Sequence, residues 1–199
     1  MILEKRAGKG WVAHAVFALD RLVRKRVGIY EYTSDARCLF RIHRDQAEHS
    51  LSLQDGTHIC RGDPILKLHI WNEHMPCMVR GPSVAWGREV SRGIHLSLQE
   101  LARYLQQDSS LKDVKAICAD MCLGTAEQRM QLARIVGRYG FEAARYGVGR
   151  PGAIEQLCQN IMMWLLVLVT NPSTLRLAIL LRAHQRIFLS RAALERRYA

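Results

Sequence analysis

Five polar side chains crowd one short stretch of the chain: Asp63, His69, Asn72, Glu73 and His74. They surround the run Ile65-Leu66-Lys67-Leu68-His69-Ile70-Trp71, where Leu66, Leu68 and Ile70 alternate with Lys67 and His69. Period-two alternation predicts a strand with the aliphatic residues on one face and Lys67 and His69 on the other. His69 and Asn72 then stand where strand gives way to loop, a common place for functional side chains on a rigid support. An imidazole near a carboxylate can act as a general base. His69 is therefore the candidate base of a small transferase or hydrolase, with Asp63 or Asn72 orienting substrate. A second role is open to the same residue, which could bond a backbone group and close the turn. No nucleophile with an obvious partner accompanies it.

Other chemical signatures are missing. The chain has no Gly-x-x-x-x-Gly-Lys-Ser/Thr phosphate loop, no Gly-x-Ser-x-Gly elbow and no His-Glu-x-x-His zinc pattern. Cys38, Cys60, Cys77, Cys118, Cys122 and Cys158 form no Cys-x-x-Cys pair and no Cys/His zinc spacing. They read as structural thiols in a reducing compartment, and neither a metal nor a cofactor is expected. The polar first ten residues, followed by His14 and Asp20, do not make a secretory signal, so a cytoplasmic location is expected.

Charge is unevenly placed. The 199 residues include 29 Lys and Arg against 18 Asp and Glu, a formal net charge of +11. Residues 1–26 carry seven basic and two acidic side chains, and residues 176–199 carry six and one. The 149 residues between are nearly balanced, with 16 basic and 15 acidic. Cationic ends on a neutral middle predict contact with an anionic surface, either phospholipid or nucleic acid. Nucleic acid is the weaker partner, because few aromatics interleave with the basic residues and no reader motif is present. The expected membrane-binding residues are Arg21, Arg24, Lys25, Arg26, Trp164, Arg176 and Arg182, with Trp11 available for insertion.

The elements that must position these groups give an α+β protein. Trp11, Val12, Ala15, Val16, Leu19, Leu22 and Val23 recur at helical spacing, with Gly28 as the stop. An antiparallel meander is expected from about 29 to 71, with strands at 29–32 and 38–43 and a hairpin turn at Asp55-Gly56. Helix, strand, helix and edge strand follow at 84–107, 115–119, 125–139 and from 141, with a capping box at Thr125 and Gln128. Apolar runs at 157–169 and 175–181, broken by Asn171-Pro172, predict a helical hairpin packed on the core or lying in a leaflet. Neither run reaches the ~20 residues that a bilayer span requires. Arg186 to Ser190 predicts a last strand, and Ser190 a cap for a terminal helix. Three parts are therefore expected: a basic helix at 1–27, an α+β core at 28–150 and the apolar hairpin with its basic end at 151–199.

The stretch from Leu53 to Asn72, with its Asp55-Gly56 turn, Gly62-Asp63 turn and closing Leu66-x-Leu68-His69-Ile70-x-Asn72, resembles the signature of bacterial YkoP-like proteins. Tyr139-Gly140-Phe141-Glu142 and Ile187-Phe188-Leu189-Ser190-Arg191 extend the likeness over about 11 to 198. That family has no settled activity, and its domain occurs beside polysaccharide deacetylases or glycosyltransferases. The resemblance implies a role in envelope lipid or glycan metabolism, with envelope-biosynthesis enzymes as partners, and draws attention to Asp63, His69 and Asn72. The metal-binding pattern of the deacetylases themselves is absent from this chain. Together these readings predict an accessory or binding protein, peripheral on the inner face of the cytoplasmic membrane.

Overall fold

Alternating apolar residues make five strands of one sheet, and a computed structural model describes how helices cover it. The described residues are 10–76, 83–122, 126–143, 152–170, 175, 177, 180, 182 and 184–199. In chain order the elements are α1 (Gly10–Val27), β1 (Phe40–Gln46), β2 (Leu51–Ser52), β3 (His58–Ile59) and β4 (Pro64–Ile70). They continue with α2 (Val84–Gln107), β5 (Ala116–Cys122), α3 (Ala126–Arg138), β6 (Glu142–Ala143), α4 (Ala153–Thr170), β7 (His184–Ser190) and α5 (Arg191–Tyr198). The main sheet runs β1-β4-β5-β7-β6, and β2 and β3 form a separate hairpin. Among the described strands only β4 and β5 pair in parallel, which requires a long crossover, and α2 supplies it.

One sheet face carries the main core. Ile42, Leu66, Leu68, Ile117, Ile187 and Leu189 pack against Leu98, Leu101, Ala102 and Leu105 of α2 and against Leu194 and Tyr198 of α5. At one end of the other face, the β2–β3 hairpin brings Leu53 and Ile59 onto Ile65, Ala116, Cys118 and Phe188. The fold is α+β, as the pattern of elements predicts.

Several expectations are met in detail. Gly28 and Gly140 adopt φ of 80° and 89° just beyond α1 and α3, a left-handed conformation that glycine enters without steric cost. Ser190 caps α5 by accepting from the Ala193 N–H at 2.9 Å. Arg61-Gly62-Asp63 is a turn, with the Asp63 carboxylate accepting from the Cys60 N–H at 2.8 Å.

Others are corrected. The segment around Tyr30 makes a single bridge to Ile42 instead of a full strand. The meander is β1 paired directly with β4, and the β2–β3 hairpin is set between them as its own sheet. A boundary at 150 would cut through the core, because β7 lies between β5 and β6 in the central sheet and α5 packs on α2. The first limb of the expected C-terminal hairpin is α4, whereas most of the second limb, with Arg176, lies outside the described residues. Thr125 of the expected capping box also lies outside them.

Close approach of α2 to the loop before β1 depends on one glycine. The Ser97 hydroxyl donates to the Gly93 carbonyl at 2.6 Å and accepts from the Leu39 N–H at 2.7 Å. A Cβ on Gly93 would stand 2.7 Å from the buried Leu39 side chain and 3.2 Å from the Arg37 carbonyl. Alanine improves an exposed helix interior by about 1 kcal/mol over glycine, but overpacking costs about 1–3 kcal/mol. Gly93→Ala is therefore expected to lower the unfolding midpoint, while Gly87→Ala, with nothing within 4 Å, leaves it unchanged or raises it. Urea unfolding of the two variants, followed by circular dichroism, checks the contrast.

Candidate functional site

Lys, Asp and Arg are rarely buried unless they are paired, and the sheet face opposite the main core buries all three. Strand parity places Arg41, His43 and Asp45 of β1, Lys67 and His69 of β4, Asp120 of β5 and His184 and Arg186 of β7 on this side. Asp120 is the centre. It receives the Lys67 ammonium at 2.7 Å and the Arg186 Nε–H at 2.7 Å, and Arg186 also reaches Glu48 at 3.4 Å. Burial by itself would raise the Asp120 carboxyl, but the Arg186 hydrogen bonds and the Lys67 and Arg186 charges outweigh it and hold the group at about 2. The adjacent Cys118 is fully buried, which pushes its thiol up to about 12 and leaves it inert as a nucleophile.

A second group adjoins the first. His43 Nδ1 lies 2.7 Å from His69 Nε2 with the rings tilted at 39°, and the Asp45 carboxylate stands 3.7 Å from His43 Nε2. Burial holds the half-buried His69 down at about 3, helped by His43 and Lys67 and opposed by Asp120. His69 is therefore neutral throughout the physiological range. Beside it, Arg41 lies over the Trp71 ring at 4.4 Å and pairs with Glu31 at 3.0 Å and Glu73 at 3.2 Å.

Two helices pack on each other over this side of the molecule and attach to it by polar contacts. From α4, Asn160 meets His184 at 2.7 Å and donates to the Leu180 and Arg182 carbonyls. From α1, Arg24 pairs with Asp20 at 2.8 Å and lies 3.7 Å from Glu73.

The residues singled out in the sequence do not converge. His69 faces the polar cluster, as alternation predicts. Asp63 is at the opposite end of β4, where its carboxylate closes a turn, so it cannot orient a substrate on His69. Asn72 opens a short 3-10 turn beyond the strand and makes no side-chain hydrogen bond to His69. Among the described residues His69 meets His43 and no backbone group, while His74 Nδ1 lies 2.8 Å from the Cys38 carbonyl and ties this turn to the segment before β1. Among the expected membrane-binding residues, Arg21, Lys25 and Arg26 are exposed, but Arg24 is tied down by Asp20 and Glu73. Trp164 is half-buried with its indole nitrogen shielded, and Arg182 is half-buried with its carbonyl engaged by α4.

Much of the C-terminal basic end is engaged within the fold, although Arg196 and Arg197 are exposed. Arg186 is buried against Asp120, Arg191 serves the Leu105 and Leu111 carbonyls and Glu195, and Arg197 donates to the Arg138 carbonyl. A pocket of about 360 Å³ does lie there, lined by Asp55, Glu142, Leu189, Ser190, Arg196 and their neighbours. Both its carboxylates are engaged, Asp55 by the Ser190 hydroxyl and Glu142 by the Gln54 N–H.

Asp120, Lys67, Arg186, His43 and Asp45 are functional candidates that belong to no sequence motif. For Lys67 and Asp120 the signal is a charged residue in the middle of a mainly apolar strand, whereas β1 and β7 are mixed in polarity. A family model for the YkoP domain matches residues 9–198 of the chain. The chain belongs to the YkoP domain family. No curated protein and no solved structure matches it. In this YkoP domain no group of three or more His, Cys, Asp or Glu among the described residues is placed to hold a metal ion.

Replacing Asp120 by Asn leaves two buried cations without their counter-charge, and breaking a buried pair in this way costs about 3–5 kcal/mol. The pH dependence has a definite sign. A carboxyl at about 2 in the folded domain, below its ordinary value, contributes stability that is complete above about pH 4. That contribution is lost as pH falls through about 2. Acid unfolding of the native domain should therefore steepen below pH ~4, and Asp120→Asn should start less stable and lack that component.

Proposed function

We propose that this YkoP domain attaches peripherally to an anionic membrane surface through α1 and the outer side of α4. In this reading it is an accessory or binding component of bacterial envelope lipid or glycan assembly, held at the inner face of the cytoplasmic membrane. The observation that carries the proposal is the orientation of α1. An amphipathic helix ordinarily turns its apolar stripe to the core, yet only Val16 of α1 is buried. Trp11 is 81% exposed and Leu22 66%, with Val12, Leu19, Val23 and Val27 also open. Its inner side is formed by Ala13, Val16, Phe17, Asp20 and Arg24.

The neighbouring α4 repeats the arrangement. Leu166 and Asn160 are buried, while Ile154 is 81% exposed and Leu157 and Ile161 are open. Contiguous exposed apolar surface marks a partner site. The exposed Arg21, Lys25 and Arg26 favour an anionic partner, and a helix with both characters suits the interface of a bilayer. No helix among the described residues is long and apolar enough to cross a membrane, so attachment would be shallow.

Three exposed cations at about 1 kcal/mol each correspond to roughly a hundredfold in affinity. Replacing Arg21, Lys25 and Arg26 together by Gln should reduce co-flotation with phosphatidylglycerol-containing vesicles by about that factor, and high salt should do the same to the native domain. Leu22→Asp should abolish flotation without changing the fold. Flotation unaffected by all three manipulations would refute the proposal, as would preferential association with RNA or self-association through α1.

A further inference from the structure

The cluster of Asp45, His43 and His69 carries an inference independent of membrane attachment. A carboxylate beside an imidazole nitrogen favours the tautomer with its proton on that nitrogen. Asp45, 3.7 Å from His43 Nε2, therefore favours His43 with a proton on Nε2 and a lone pair on Nδ1. That lone pair faces His69 Nε2 at 2.7 Å, so His69 must supply the hydrogen. Consequently the lone pair of His69 is on Nδ1, which hydrogen-bonds to no described residue, on a half-buried side chain.

We propose that Asp45, His43 and His69 form a proton relay whose outer end, His69 Nδ1, is the general base for a hydroxyl-bearing substrate or a water. In the step, the O–H proton moves to His69 Nδ1 and the bonding pair stays on oxygen. The Nε2 proton of His69 passes to His43 Nδ1. His69 ends neutral with its proton on Nδ1, and His43 ends as an imidazolium whose Nε2–H faces Asp45. His69 is the catalytic residue here, and His43 and Asp45 are positioning residues.

The relay explains why the pair is needed. Burial and the nearby Lys67 prevent a positive charge from resting on His69, whose pKa is about 3, so a lone imidazole here would be a poor base. Moving the charge one ring inward places it beside a carboxylate. The other charged groups on this face, Arg41 with Glu31 and Glu73, Lys67 and Arg186 with Asp120, and Arg24 from α1, are already paired.

The test uses the whole chain labelled with ¹⁵N-histidine. Long-range ¹H–¹⁵N spectra should show His69 protonated on Nε2 and bare on Nδ1 from pH 8 to 5. His69 protonated on Nδ1, or on both nitrogens at pH 6, overturns the relay. Diethyl pyrocarbonate then probes reactivity, because acylation at Nδ1 is completed by loss of the Nε2 proton to His43. Peptide mapping should find His69 acylated at a rate varying less than twofold over that pH range. The rate should fall at least fivefold in Asp45→Asn and His43→Gln, with acylation of the exposed His14 unchanged. Asp45 is partly exposed, so Asp45→Asn remains a fair test even if His43→Gln unfolds. An unreactive His69 in the folded native protein, or an unchanged rate in Asp45→Asn, contradicts the proposal.

Discussion

A single carboxylate sunk into the sheet between two cations governs much of this molecule. Asp120 brings together β4, through Lys67, and β7, through Arg186, on a face that also carries Arg41, His43, His69 and His184. Removing charges from water costs several kcal/mol per ion, which the mutual attraction and the hydrogen bonds must offset. The face is consequently polar at its centre and apolar only where the β2–β3 hairpin closes one end. Helices covering such a face meet few apolar partners. They contribute Asn160, Asp20 and Arg24 instead, and the aliphatic stripes of α1 and α4 are left facing outward. The inward ion cluster and the outward apolar surface are two sides of one arrangement.

Net charge alone is a poor guide to where the protein meets an anion. Arginines on strands and beside helix ends are consumed by the fold: Arg186 by Asp120, Arg191 and Arg197 by backbone carbonyls. Those on the outer turns of α1 stay in water beside the exposed leucines. Thus Arg196 and Arg197 stay exposed at the C-terminal end, but it is on α1 that exposed cations stand beside exposed apolar side chains, and the proposed attachment is a matter of one helix pair.

Much of the fold was legible because its signals are local. Alternation in 65–71 gave β4 and the side of Lys67 and His69, and Ser190 with its following residues gave the α5 cap. The place of β7 was not legible, since strand order depends on pairings more than sixty residues apart, such as Ile117 with Leu189. Local spacing likewise misled about Asp63. It is close to His69 in sequence but a whole strand away in space, whereas His43, 26 residues earlier, is the true neighbour. The orientation of α1 could not be read either. An amphipathic pattern says that one side is apolar, and only the polarity of the surface beneath decides whether that side turns inward.

Hydrogen exchange of the whole domain, with and without phosphatidylglycerol vesicles, tests the central claim most directly. Added protection confined to α1 and the outer residues of α4, with α2, α3 and α5 unaffected, is the predicted result. Protection that appears on α2 or α5 instead, or nowhere, would contradict the account.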